Sequence, residues 1–445
     1  MTELFIIFVL LAETAAVVRV ARTARLVLFP TLFLVYIIYC QLIYFLVVNG
    51  LIIDNFLSTY TIGGTQQNEI ETHLFYAALF CFTCWIGRGI NFSGGFREIL
   101  SSSVFRKISY GAAAALGVYA IALCISLDWG VVWANNAYLM MTDPRGVLLR
   151  PNDLDILNLS LLLPTGILAA CLAGANFGKK DYGPAALLGI YAAASSLYFL
   201  GAHQRGATVI ALVFLCTTMV VARRQNLFVC AVVGSYAVYA YLIALAGRGS
   251  GFHGLSSIAN GPELFASIDF ERFFGDVLSN SAEGIFVFAE TLSYPASYPL
   301  SYELLSFSPF PSAIDGFSSI RDLYQVRLHA YVPFSGYGEA IKFGPLFVIL
   351  LAVCFIGIGR LNTLLVGRSP AAFIIVNALT FSGMLVLNSY PLRTGLRVIW
   401  VAYLVGLLSL AVSRRRHRST PSRVMHRALP LFTSAKSYNE RNEIY

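Results

Sequence analysis

The sequence predicts an all-α polytopic membrane protein of about eleven transmembrane helices, with one large loop on the outer side. Three observations predict it. Apolar runs recur along the chain at membrane-spanning length. The gaps between them alternate in charge. Hydrophobic residues make up 57% and charged residues 12%, far from the balance of soluble domains. A hydrocarbon core of about 30 Å takes about 20 helical residues, and most of the runs suit it.

The runs lie at 3–18, 28–48, 72–87, 109–127, 156–177, 183–200, 206–222, 227–246, 340–359, 370–389 and 396–413. Arg19, Arg22 and Arg25 follow the first. The next gap holds Asp54, Glu69 and Glu71 and no Lys or Arg. Arg88, Arg97, Arg106 and Lys107 follow the third run, and an acidic, Trp-bearing gap from Asp128 to Asp155 follows the fourth. Lys179–Lys180 and Arg223–Arg224 fill two later gaps, and Arg414–Arg415–Arg416 open the tail. Short loops rich in Lys and Arg stay on the cytoplasmic side. The N-terminus is therefore expected outside and the C-terminus inside. The first run starts with Glu3 and its positive charge follows it, the reverse of a cleavable signal peptide. The chain divides into helices 1–8 over 1–246, a large outer loop over 247–338, helices 9–11 over 339–413, and a basic tail over 414–445.

The net charge of +8 follows from this topology and needs no nucleic-acid partner. Ten basic residues fall on the outer side against the rule: Arg145, Arg150, Arg205, Arg248, Arg272, Arg321, Arg327, Lys342, Arg393 and Arg397. An arginine there has no orienting value, and at membrane depth it costs at least about 2.5–3.5 kcal/mol. One alternative is snorkelling to lipid headgroups. The other is a ligand: planar guanidinium forks match phosphate and pyrophosphate oxygens. Arg205, Arg248, Arg321, Arg327, Arg393 and Arg397 are the candidates for such an anion site.

A structureless loop of about ninety residues is unusual, so 247–338 is expected to carry short helices. Residues 270–292 have helical periodicity with Phe270, Phe273, Phe274, Val277 and Leu278 on one stripe, as for an amphipathic helix lying at the outer interface. Pro295, Pro299, Pro309 and Pro311 exclude its continuation. Aromatics interleaved with acids here suit either sugar faces or an aromatic belt. The loop ends in a dense stretch holding Arg321, Arg327, His329, Glu339 and Lys342. Glu339 or His329 is the candidate catalytic group that polarises an acceptor hydroxyl. The competing roles are a structural histidine and an acid capping the ninth helix. Cys81-Phe-Thr-Cys84 has metal-like spacing but sits mid-span without further ligands. No metal site is expected, and no phosphate-binding glycine motif implies a nucleotide or other cofactor.

His203-Gln-Arg205-Gly206-Ala207 at the head of an apolar run, and His329-Ala330-Tyr331 followed by Gly338-Glu339-Ala-Ile-Lys342-Phe-Gly344 at the exit of the long loop, resemble bacterial O-antigen polymerases. These are the Wzy-type oligosaccharide repeat-unit polymerases, relatives of the O-antigen ligases. Arg327 and Gly338 also share a spacing seen in polymerase loops, whereas ligases carry His-Asn where this chain has His329-Ala330. The resemblance covers topology over most of the chain. It implies a GT-C-like fold in the bacterial inner membrane and a metal-independent glycosyltransferase working on the periplasmic face. Both substrates would be oligosaccharides on undecaprenyl pyrophosphate, whose leaving pyrophosphate the arginines would bind. Membrane lipids and an inner-membrane chain-length regulator are the further implied partners. The alternatives are an O-antigen ligase using the same site, or a flippase or transporter of lipid-linked oligosaccharides. A transporter would show repeats or charges at several depths.

Overall fold

The computed structural model describes residues 2–23, 28–51, 66–87, 103–126, 129–133, 153–221, 227–247, 254–266, 270–310, 315–324, 327–329, 332–366 and 368–419. Those residues are overwhelmingly helical, all-α apart from one small hairpin. The helices are α1 (Thr2–Thr23), α2 (Leu28–Val48), α3 (Gln66–Gly87), α4 (Ser103–Ser126), α5 (Trp129–Trp133), α6 (Asp153–Gly178), α7 (Tyr182–Gly201), α8 (Gly206–Val221) and α9 (Leu227–Ala246). After a 3-10 turn at Leu255–Asn260 come α10 (Gly261–Ala266), α11 (Phe270–Ser293), α12 (Leu300–Ser306) and α13 (Phe317–Tyr324). The antiparallel hairpin β1 (Arg327–His329) and β2 (Val332–Pro333) leads to α14 (Gly336–Lys342), α15 (Pro345–Val366), α16 (Pro370–Ser389) and α17 (Leu392–Ser419).

Each apolar run of the sequence lies in a helix, give or take a residue, except the ninth, which is cut between α14 and α15. Among the described residues, six helices are long and apolar enough to cross a membrane: α4, α6, α7, α9, α15 and α17. Shorter apolar helices occupy parts of α1, α2, α8 and α16. Large side chains such as Phe8, Val118, Ile190 and Phe228 point outward, as lipid-facing surfaces require. The chain is a multi-pass membrane protein.

Close helix packing divides these elements into two lobes. One contains α1–α3 together with α11–α17. Its core runs through Phe33, Tyr44, Tyr76, Phe286, Tyr337, Phe355 and Ile399. The other contains α4–α10, around Leu162, Ala169, Ala173, Leu188, Phe199 and Ile243. The second lobe is therefore an insertion in the first. Small residues build its centre: Ala169, Ala170 and Ala173 are buried where α6 meets its neighbours. Close backbone approach of this kind replaces the missing hydrophobic drive between helices in lipid. In the first lobe, Asn362 and Asn377 exchange side-chain amide bonds of 3.5 and 3.2 Å between α15 and α16, the polar glue common in such interfaces.

Two expectations need correction. The segment 270–292 does form a helix, and α11 stops at Ser293 just before Pro295, but it is not an interfacial surface helix over its C-terminal half. Ala282, Ile285, Phe286, Val287, Phe288 and Ala289 are all fully buried. The reason is that α11 threads between α2, α3, α14 and α16, so its partners cover it on every side. Residues 247–338 therefore hold one long core helix as well as the short ones that the sequence leads one to expect. The amphipathic stripe at 270–278 belongs to side chains outside the described set.

Candidate functional site

The stretch that leads out of the long segment is wedged into the first lobe. Ser335 starts α14, its hydroxyl accepting from the Gly338 amide at 3.5 Å. The same hydroxyl donates to the Leu387 carbonyl at 3.2 Å, and the Ser335 amide donates to the Thr291 hydroxyl at 3.0 Å. Gly336 donates to the Tyr390 carbonyl at 2.8 Å. A Cβ at Gly336 would meet the Leu392 backbone at 2.8 Å, so only glycine lets α14 approach the head of α17 this closely.

That approach decides where Glu339 goes. Its carboxylate is fully buried. One oxygen accepts from the Leu392 amide at 2.7 Å and the other from the Tyr302 hydroxyl at 3.0 Å. Leu392 is the first residue of α17, so its amide belongs to the set of unpaired donors at a helix start. Glu339 therefore caps the eleventh apolar helix, not the ninth as the sequence spacing implies. Burial pushes the carboxyl up to about 7, against the opposing pull of the Leu392 amide and the Tyr302 hydroxyl. Both oxygens are occupied and closed off from solvent. Around them stand aromatic rings: Tyr302 stacks on Tyr298 with centroids 5.1 Å apart, and Phe343 and Phe317 meet Tyr302 at 5.9 and 5.4 Å. The hydroxyl of Tyr298 is buried without a hydrogen-bond partner.

Arg393, one residue on, is buried and engaged. It donates to the carbonyls of Leu305 and Phe310, the latter at 2.9 Å, and to Asp315 Oδ2 at 2.6 Å. Its guanidinium also lies 4.1 Å over the Phe317 ring. For Asp315, burial alone would raise the carboxyl. Hydrogen bonds from Ser308, Arg393 and the Phe317 amide, with the Arg393 charge, outweigh it and hold the carboxyl below its usual value. This set ties α12 and α13 to α17. Arg397, one turn further, donates to the Phe310 carbonyl at 3.5 Å and faces the same Asp315. The ion pair to Asp315 belongs to Arg393, and Arg397 stands beside it on the same carbonyl.

Arg205 belongs to the other lobe. It follows His203, a non-glycine residue at φ +50. His203 Nδ1 donates to the Gly247 carbonyl at 3.0 Å, and Nε2 lies 3.1 Å from the Ser257 hydroxyl. A carbonyl can only accept, which places a hydrogen on Nδ1. His203 thus pins the end of α9 beside the α7–α8 turn. It draws the segment holding Arg205 toward the chain neighbour of Arg248, although Arg248 itself lies outside the described residues. The Arg205 charge reaches the Tyr36 hydroxyl of the first lobe. Tyr36 accepts from Asn388 Nδ2 at 3.1 Å, and the Tyr76 hydroxyl donates to Asn388 Oδ1. Arg205 therefore lies within charge range of Tyr36, one end of this polar chain, across the boundary between the lobes.

Of the predicted anion ligands, the fold brings Arg393 and Arg397 together and sets Arg205 at the lobe boundary. Arg321 is exposed in the last turn of α13. Arg327 and His329 lie on β1, their side chains outside the described set. The sequence reading missed Tyr302 and Asp315 as partners of Glu339 and Arg393, and it missed Tyr36, Tyr76 and Asn388 altogether. Asp315 was findable as an acid inside a basic, aromatic loop. A tyrosine within an apolar run carries no such signal. No family model, curated protein or solved structure matches the chain.

Proposed function

We propose that this chain is a polymerase that joins oligosaccharide repeat units carried on undecaprenyl pyrophosphate. It works on the periplasmic face of a bacterial inner membrane, with eleven spans, the N-terminus outside and the C-terminus inside. The observation that supports the reading is Arg205 at the head of α8, within charge range of Tyr36 in the other lobe, where Tyr36, Asn388 and Tyr76 form a hydrogen-bonded chain. A guanidinium held at membrane depth has to meet an anion or a wet cavity. A lipid pyrophosphate presents its charge at that depth, with its polyprenyl tail in the bilayer and its glycan in the aqueous phase. Arg205 and Arg397 would bind the pyrophosphate and stabilise its charge as the glycosidic bond to it breaks. The acceptor hydroxyl of the second repeat attacks the anomeric carbon, and its proton leaves with the departing lipid pyrophosphate or a nearby base.

Glu339 is placed for architecture in this scheme. It holds α14 against α17 and so fixes the height of Arg393 and Arg397. His329 on β1 remains the candidate for contact with the acceptor hydroxyl. A transporter of lipid-linked glycans is the second reading. It is favoured by the division into two lobes and by buried polar groups within α1–α3. Against it, one lobe is inserted in the other, where contiguous repeated halves are the transporter pattern.

Deleting the protein and resolving surface polysaccharide by gel separates these readings. Loss of the polymerase leaves a single repeat on the surface. Loss of a ligase leaves lipid A-core bare, and loss of a flippase traps lipid-linked repeats on the cytoplasmic side. Either of the last two patterns overturns the proposal.

A further inference from the structure

Buried polar atoms that lack a well-formed hydrogen bond concentrate in one place. Among the described residues, those on α1–α3 are both carboxylate oxygens of Glu13, both amide atoms of Gln41, the Tyr44 hydroxyl and both ring nitrogens of His73. Gln41 and His73 are fully buried, and Glu13 is 4% exposed. Native proteins leave few such groups unsatisfied, and most that remain mark water, an ion or a working proton. Here four polar side chains of this kind stand on three adjoining helices.

Their order along the helices is directional. Glu69 lies in the first turn of α3, at the end the charge pattern places outside. His73 is one turn further on the same face, about 6 Å along the axis at 1.5 Å per residue. The Tyr44 ring meets His73 edge-on at 5.6 Å and also feels the Glu69 charge. Gln41 sits three residues deeper on the same face of α2. Gln41 in turn lies beside Glu13, with no hydrogen bond of good geometry between them. Glu13 is eleven residues into α1, about 17 Å along its axis. The series therefore runs from an acid at the outer end to an acid at mid-depth. Other titratable groups on the packed elements are Glu71 on α3 and Glu283 and Glu290 on α11, all with interactions of their own, and Tyr36, Tyr39, Cys40 and Tyr76, which bond to Asn388 or Ser281. Phe286 of α11 closes the side of Tyr44 at 5.2 Å.

We propose that α1–α3 form a proton-exchange path from the outer face to the Glu13 carboxyl. The ligand is a proton carried on water. A hydronium ion gives its proton to a Glu13 carboxylate oxygen and leaves as water, and the reverse step returns the proton to the outer phase. Glu69 and His73 receive the proton at the outer end. Tyr44 and Gln41 hold the water that carries it inward. This site stands apart from the arginines and does not depend on the polymerase reading.

The test uses the full chain in liposomes and infrared difference spectra between acidic and alkaline media. A protonated-carboxyl band should appear on acidification, vanish in Glu13→Gln, and shift on transfer to heavy water. His73→Phe and Tyr44→Phe should each slow that shift while leaving the band itself. Tyr44→Phe removes one oxygen only, so it keeps the test open if His73→Phe folds poorly. Three results overturn the proposal. The Glu13 band is indifferent to medium pH and heavy water. The band responds to sodium or potassium at constant pH, which makes the site a cation site. Or exchange in both variants keeps the rate of the unaltered protein.

Discussion

The carboxylate of Glu339 accepts the backbone amide of Leu392 at 2.7 Å across 53 residues of chain. This bond joins the segment that leads out of residues 247–338 to the first residue of α17. It determines the position of everything that follows on α17, Arg393 and Arg397 included. A residue with the sequence profile of a catalytic base is thus an N-terminal cap for a helix remote in sequence.

The cap has a pH signature. Burial raises the folded carboxyl from 4.5 to about 7. A group raised on folding contributes stability that is fully present below its unfolded value and is lost as pH rises through the folded value. The melting temperature in detergent should therefore fall between about pH 4.5 and about 7. Glu339→Gln, uncharged throughout, should flatten that fall and keep activity, since an amide oxygen still accepts from Leu392. Glu339→Leu leaves two buried donors unmet and should cost roughly 1–3 kcal/mol for each. If Glu339→Gln melts normally but forms no polymer, Glu339 is the base and the cap assignment is secondary.

Arg393 and Asp315 should behave as a buried pair. Their side chains are 3% and 9% exposed. Removing one partner leaves the other buried and uncompensated, at about 3–5 kcal/mol. Arg393→Ala should therefore destabilise about as much as the double variant with Asp315→Ala, or more. A double-mutant cycle on melting reads the coupling. Additive losses would show that the two side chains act separately.

His203 and Gly247 are predicted to depend on each other sterically. A Cβ at Gly247 would meet His203 Nδ1 at 2.3 Å, so Gly247→Ala overpacks the corner, at roughly 1–3 kcal/mol. Adding His203→Ala should recover part of the loss by vacating the clash. A double variant weaker than Gly247→Ala by the full cost of His203→Ala would contradict the contact.

The fold was legible in the sequence where structure is local. Apolar run length located nearly every long helix, and the prolines from Pro295 onward marked the stop of α11. Long-range pairing was illegible for a physical reason. The stripe that marks α11 as amphipathic says that one face is apolar, not that four other helices close over the rest. The nesting of α4–α10 inside the other lobe depends on contacts between residues hundreds of positions apart. Glu339 at the head of the ninth apolar run reads as a local cap because the Gly336–Leu392 approach that redirects it is non-local. Arg393 looked like an anion ligand because its carboxylate, Asp315, lies 78 residues away.

The central claim is that Arg205 at the lobe boundary serves bond formation between lipid-linked repeats. The most direct measurement is extension of purified undecaprenyl-pyrophosphate-linked repeats by the reconstituted protein, resolved as a product ladder with the released lipid pyrophosphate quantified. The account predicts a ladder with one lipid pyrophosphate released per bond. Arg205→Lys keeps the charge but loses the fork, and Arg205→Ala loses both. Losing one charged hydrogen bond, worth roughly 1.5–3 kcal/mol, lowers the rate about ten- to a hundredfold if it is fully expressed in the transition state. A full ladder from Arg205→Ala at equal protein levels, or repeats that cross the bilayer without any bond being made, would contradict it.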